Sequence, residues 1–247
     1  MDKQATTPTT SAFELEEILN LLRICFATAT ATANFQAYGD TVFEKIVYDS
    51  TVIRRFWRAS DNPPHQAIDP DDLLRRQFSQ SLMCDHFALC MSYVLGDILR
   101  QHGFQATTRW VIFDPNPRLV FVYKDAGIVC PKHSVMEITL NDGRVLYFDG
   151  TGEQFGWSSS SWLLGRSEFL RQHVRNQNPQ FAPEIVGEQW EFVREFALDG
   201  GFMSRIIPAL WAMLMDLDWG TLEKMSPCKR ARYVSAMATE LRKGHNG

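Results

Sequence analysis

Leu15, Ile18, Leu19, Leu22 and Phe26 recur at the three- and four-residue spacing of a helix that buries one stripe. This predicts a helix from Phe13 to about Ala37, with Ser11 as N-cap and Glu14, three residues on, as its capping-box partner. The run ATATATANF supplies small side chains for close helix packing. From Thr41 to Arg58, the residues Phe43, Ile46, Val47, Ile53, Phe56 and Trp57 keep a roughly helical spacing. They predict a second helical region, broken near Asp49-Ser50. The stretch SDNPPHQAIDPDD then reads as a loop, with Pro70 after Asp69 opening the next helix.

A more apolar helix follows. Cys84, Ala88, Met91 and Leu95 fall on one stripe, Phe87, Val94 and Ile98 lie beside it, and His102-Gly103 ends it. The period then changes to two. TTRWVIF and RLVFVYK read as strands around the turn DPNP. KHSVMEITL and RVLYFDG read as a second hairpin around Asn141-Asp142-Gly143. After Gly156 helical periods return over Ser161–Val174, Pro183–Leu198, Met203–Leu217 and Leu222–Lys243. Helices, one central helix, four strands, then helices make an α+β order, not an alternating βαβ one. The chain divides into a disordered tail (1–12), N-terminal helices packed on the core (13–70), the core (71–157) and a helical C-terminal extension (158–247).

With 247 residues, 45% hydrophobic and 22% charged, the chain can bury a sizeable core. A net charge of -4 argues against a nucleic-acid partner. No apolar run approaches the length of a membrane span. The polar, Thr-rich start MDKQATTPTT lacks the apolar segment of a Sec signal. A cytoplasmic chain, or one exported by a non-Sec route, is the expectation. Five irregularly spaced cysteines do not suggest a disulfide scaffold.

The second hairpin can be worked out in register. A two-residue loop would put His133 and Asp149 on opposite faces. A three-residue loop, Asn141-Asp142-Gly143, pairs Leu140 with Arg144 and makes His133 and Asp149 diagonal neighbours on one face. In that register Met136, Ile138, Leu140, Leu146 and Phe148 form an apolar face, expected to be buried against helices from after residue 160. The aromatics Trp190, Phe192, Phe196, Phe202, Trp211 and Trp219 would cover it. His133, Val135, Glu137, Thr139, Tyr147 and Asp149 form the other face, and such a cluster of polar groups marks a site.

Cys84 begins the central helix. There it sits among unpaired N–H groups at the positive end of the helix dipole, a setting that favours a thiolate nucleophile. A histidine held by an aspartate completes a nucleophile, base and orienter. The Cys84 backbone N–H is one oxyanion donor, with Gln80, Gln77 or the indole of Trp57 as side-chain candidates. Taken alone, each of these residues has a structural explanation, since free cysteine is among the most buried residue types. Cys90 lies on another side of the helix and reads as core, and His86 as a polar partner or surface residue. Cys130-Pro-Lys-His133 has metal-ligand spacing, but Cys84 and His86 diverge on the helix, so no metal site is expected. The basic run Lys229-Arg230-Ala-Arg232 reads as a solvated helix end.

The order CDHFALCMSYVLGDILRQHGFQATTRWVIF, then HSVMEITL, then VLYFDGTG resembles the core of transglutaminase-like cysteine enzymes, within the papain-like superfamily. Cys84, Asp85, Phe87-Ala88, Gly103, His133, Glu137 and Asp149 carry the resemblance, which spans about residues 75 to 155. It implies a central helix packed on an antiparallel sheet and a Cys84–His133–Asp149 triad working through a thioester. It implies a protein or peptide amide as substrate and no cofactor. Protease, glutamine deamidase and transglutaminase share that first half-reaction. The alternative is an inactive binding or scaffold protein of the same fold, with the helical C-terminal region as its partner surface.

Overall fold

The computed structural model describes residues 13–33, 41–61, 63, 67–175, 180–181 and 201–245. In chain order the elements begin with α1 (Leu15–Thr30), β1 (Thr41–Tyr48), β2 (Thr51–Arg58), α2 (Asp72–Ser79) and α3 (Cys84–Gln101). Next come the strands β3 (Ala106–Phe113), β4 (Leu119–Tyr123), β5 (His133–Leu140) and β6 (Val145–Phe148). The rest are β7 (Leu163–Gly165), α4 (Arg166–His173), β8 (Gln180–Phe181), α5 (Phe202–Met215), α6 (Trp219–Glu223) and α7 (Pro227–Gly244). The class is α+β, with two sheets of order β1-β2-β4 and β7-β6-β5-β3-β8.

The β5–β6 hairpin has the longer loop. Met136 pairs with Phe148 and Ile138 with Leu146, the register that puts positions 135 and 149 opposite each other. Leu140 N–H bonds the Arg144 carbonyl, and Gly143 takes φ 84, in the left-handed region that a side chain would disfavour. Met136, Ile138, Leu140 and Phe148 are buried, as expected for an apolar face, but their cover differs from expectation. The central helix α3 lies directly on β5 and β3. The Phe87 ring packs edge-to-face on Phe148 at 5.0 Å on one side and on Phe26 at 5.2 Å on the other. Helices α1, α5 and α7 form the next layer, around α3 and one another. The reason is in α3 itself. It buries residues on all sides, including Phe87, Leu89, Cys90, Met91, Val94, Leu95, Ile98 and Leu99, so it needs a sheet on one flank and helices on the others.

Thr41–Arg58 is a β hairpin, not the helical region its spacing suggested. Seven β-branched residues (Thr41, Val42, Ile46, Val47, Thr51, Val52 and Ile53) favour strands. Asp49, at φ 51, turns the chain at the break. Phe43 and Phe56 pack with Phe78 of α2. The strands flanking DPNP also part company. β3 pairs with β5, whereas β4 joins β2 in parallel in the other sheet. Pro115 and Pro117 lack N–H donors for a tight hairpin. Arg118, just after them, instead donates to the Phe155 carbonyl and accepts from Val52 N–H.

Smaller corrections follow from caps. α2 starts at Asp72, because the Asp71 side chain caps Leu74 N–H; Pro70 lies outside the helix. The stretch 161–174 opens with β7 before α4, and 222–243 is split by Ser226-Pro227, which start α7. The basic run at 229–232 is not simply solvated. Arg230 is buried, pairs with Glu17 at 2.6 Å, and donates to the Leu222 and Glu223 carbonyls. Its guanidinium also lies 4.3 Å from the Phe13 ring centroid. Phe202, Trp211 and Trp219 pack on the helical core. Ser11, the 183–198 helix, Trp190, Phe192 and Phe196 lie outside the described residues. No single described helix is long and apolar enough to cross a membrane.

Phe148 is fully buried between α3 and Trp162. Phe148→Ala should destabilise the fold by about 3–5 kcal/mol in denaturant unfolding, and Phe148→Leu by distinctly less. Equal, small losses for both would mean the hairpin is not locked onto α3.

Candidate active site

The site is built where three elements end. Cys84 is the first residue of α3, His133 the first of β5, and Asp149 follows the last residue of β6. Met83 N–H bonds the Gln80 carbonyl, and the Met83 carbonyl takes Phe87 N–H as the first helical turn. Just before this, Leu82 is held at φ 61, one of two non-glycine left-handed residues among those described. The sharp turn delivers Cys84 to the helix start, where its own N–H belongs to the donors left unpaired by helix geometry.

His133 Nε2 bonds Asp149 Oδ2 at 2.8 Å. The other carboxylate oxygen, Oδ1, accepts from Thr151 N–H at 2.8 Å, so the carboxylate is fixed at both ends. Two glycines are needed for this. A Cβ on Gly150 would run into the Phe87 ring, and one on Gly152 would come within 2.6 Å of Asp149 Oδ2. The imidazole is wholly buried in an aromatic box, with Phe113, Phe155 and Trp157 at ring-centroid distances of 5.4, 4.8 and 5.3 Å.

Burial alone would push the His133 pKa down. The Asp149 carboxylate opposes this by charge and hydrogen bond, and the Cys84 sulfur adds to it, so the pKa rises to about 10. His133 Nδ1 has no conventional hydrogen-bond partner among the described residues, which leaves that nitrogen for the sulfur. Two oxygen acceptors also face the Cys84 thiol at long range, Asp85 Oδ1 at 3.9 Å and the Lys132 carbonyl at 4.0 Å. Asp85 is itself occupied by a short bond from the Ser134 hydroxyl. A second imidazole, His173, stacks on Trp157 at 4.0 Å, and burial lowers its pKa to about 4. Near neutral pH one histidine is therefore cationic and its neighbour neutral.

None of the side-chain oxyanion candidates lines the cleft whose walls include Leu82 and Pro131, which stand two residues before Cys84 and His133 in the chain. That cleft, about 220 Å³, is formed by Ser81, Leu82, Val120, Phe121, Val129, Pro131, Gln154 and Phe155. Gln80 is the C-cap residue of α2 and lines a recess together with Arg23, Asp149 and Gly150. Gln77 lies on α2, and Trp57 on β2 shares the sheet face of Ile53, by strand alternation. His86 is buried, with its pKa lowered by burial, and is not a surface group. Cys90 is buried as expected. Among the described residues no group of three or more His, Cys, Asp or Glu could hold a metal ion.

Thr151, Gln154, Phe155 and Trp157 escaped the sequence reading. Gln154 accepts from Leu82 N–H through its Oε1 at 2.9 Å and is buried. A lone glutamine has no periodicity to mark it. The available signal was position: DGTGEQFGW runs on directly from Asp149. Compared with protein-family models, curated proteins and solved structures, the chain has no significant match.

A pKa raised in the fold means the folded state holds the His133 proton more tightly than the unfolded chain does. The resulting stabilisation is full below about 6.5, declines above it, and is lost as pH passes about 10. The stability difference between the parent and Asp149→Asn should therefore shrink as pH rises from 6.5 to beyond 10, in unfolding measured across that range. A difference independent of pH would mean that His133 is neutral in the fold.

Proposed function

We propose that the protein is a cysteine-dependent acyl-transfer enzyme of the transglutaminase-like, papain-like type, acting on a protein or peptide amide. The observation that carries this reading is His133, held by Asp149 at 2.8 Å through Nε2 while its other nitrogen is left to the sulfur of Cys84 at a helix start. In this reading the Cys84 sulfur attacks the carbonyl carbon and forms a C–S bond, and the carbonyl π electrons move to oxygen. The tetrahedral centre collapses as the C–N bond breaks, and His133 gives its proton to the leaving amine. Water, or a second amine, then attacks the thioester. His133 takes the incoming proton, the C–S bond breaks, and the thiolate returns. Asp149 keeps the imidazole oriented and stabilises its cation throughout. Water as acceptor gives a protease or deamidase, and an amine gives a transglutaminase.

The second reading is a scaffold of the same architecture without activity. The burial of Cys84, 4% exposed, and of His133, 0% exposed, favours it. Alkylation separates the two readings. Cys84 should react with iodoacetamide near neutral pH faster than the exposed Cys228, despite its burial. Slower reaction at Cys84 than at Cys228 would sink the enzyme reading.

Acylation by an activated ester should disappear at this site in Cys84→Ala with the fold intact. His133→Ala should slow it by on the order of a thousandfold or more. Asp149→Asn should fall between that variant and the parent, because base and nucleophile remain and only orientation and cation stabilisation are lost. Parent-like rates in His133→Ala, with Cys84 still the acylated residue, would remove His133 from the chemistry.

A further inference from the structure

Only part of the circumference of α1 lies on the core. The helix packs on α3, α5 and α7 and buries Leu22, Cys25, Phe26 and Ala29. The residues between these, Arg23, Ile24, Ala27 and Ala31, stay half-buried and line a groove of about 900 Å³ whose other wall is α2. From α2 come Arg75 and Arg76, and Glu153 lines the groove as well. Arg23 to Thr32 spans about 14 Å of α1, the length of a short peptide segment rather than of one small anion.

The charge of the groove runs against that of the chain. The protein carries a net charge of -4, yet three arginines and one glutamate line this surface. Their positive charge is spread along the groove. Arg23 donates to Asn20 and lies 5.1 Å from the Trp162 ring centroid, Arg75 donates to the Pro70 carbonyl, and Arg76 meets Glu153 at 2.6 Å. A site for one phosphate would bring its guanidiniums to a single point. Cations held by separate neighbours suit several carboxylates along a chain instead. The Arg76 side chain is 54% exposed and engages Glu153 through Nε, so its two terminal nitrogens remain as a donor fork for a carboxylate. Between the arginines the lining is apolar. Ala27 and Ala31, one helical turn apart beside Ile24, leave depth for larger side chains of a partner. An apolar floor with a cationic rim complements a segment that is apolar on one face and acidic on the other.

We propose that the α1–α2 groove binds an acidic, amphipathic peptide segment of a partner protein. Its apolar side chains would lie on Ile24, Ala27 and Ala31, and its carboxylates on Arg23, Arg75 and Arg76. The inference stands apart from the acyl-transfer reading, because neither Cys84 nor His133 is among the described residues that line the groove and binding there needs no reaction.

The test is a display selection of random short peptides on the full chain, followed by fluorescence anisotropy with the selected peptides. Arg75→Glu combined with Arg76→Glu reverses the rim, and Ala27→Trp fills the floor without changing charge. Arg76→Gln is the milder rim variant, to be read if the double reversal fails to fold by circular dichroism. Arg100→Glu combined with Arg144→Glu is the charge-matched control, at two exposed side chains outside the groove. The expected peptides combine Asp or Glu with Leu, Ile or Phe. Rim reversal and floor filling each weaken them by about tenfold or more, the control leaves them unchanged, and affinity falls as salt is raised. Selection of basic peptides, or of none, overturns the proposal. So does acidic-peptide binding that the groove variants leave unchanged. Phosphatidylserine–phosphatidylcholine vesicles and pyrophosphate are the rival probes. Binding of either that depends on the groove arginines, without peptide binding that does, overturns the proposal in favour of a lipid or phosphate site.

Discussion

A three-residue turn at Asn141–Gly143 holds β5 and β6 in the register that sets His133 and Asp149 on the same side of the sheet, 2.8 Å apart. A one-residue slip would turn one strand's side chains over and leave an imidazole and a carboxylate buried on opposite faces. The register is locked twice. Gly143 supplies the left-handed residue of the loop, and the apolar set Met136, Ile138 and Phe148 can be buried only if it faces α3. Site geometry and core packing therefore depend on the same pairing. The polar pair is stable because its partners are complete: Asp149 is bonded by His133 on one oxygen and Thr151 on the other.

The central helix links that hairpin to Cys84. Its long apolar body anchors it against the sheet and against α1 and α5, so the position of its first residue is fixed by packing many residues away. Its start is held by the left-handed Leu82 and by the side chain of Gln154, 72 residues away in the chain. Backbone strain of this kind costs on the order of 1–3 kcal/mol and persists only where neighbours over-determine it. Here a buried carboxamide does so, at the point where Cys84 enters the helix.

The environment of His133 combines opposing effects. An aromatic box desolvates the ring, which favours the neutral form, while a carboxylate and a sulfur beside it favour the cation and prevail. His173, one aromatic ring further away, experiences burial without a comparable partner and stays neutral. The contrast shows how strongly a single well-placed carboxylate at hydrogen-bond distance changes the protonation of a buried imidazole.

By itself the sequence determined what short-range physics decides. Alternation gave the two faces of the β5–β6 hairpin, Asn-Asp-Gly gave its turn, and His102-Gly103 ended the central helix, because each depends on neighbours a few residues apart. From these local facts His133, Asp149 and Cys84 could be named. The tertiary structure decided the rest. Phe43 and Ile46, like Ile53 and Phe56, stand three residues apart, a helical spacing that on a strand divides each pair between two faces, and the tertiary structure buries both faces, one on Phe78 and the other beside Val120 and Val122 of β4. Arg230 looked like one charge in a solvated run until Glu17, 213 residues away in the chain, met it. Gln154 had only its closeness to Asp149 in the chain to mark it, since its role comes from reaching back to Leu82 across the fold. A single polar side chain acquires meaning only from what long-range folding places beside it, and neither periodicity nor turn chemistry encodes that.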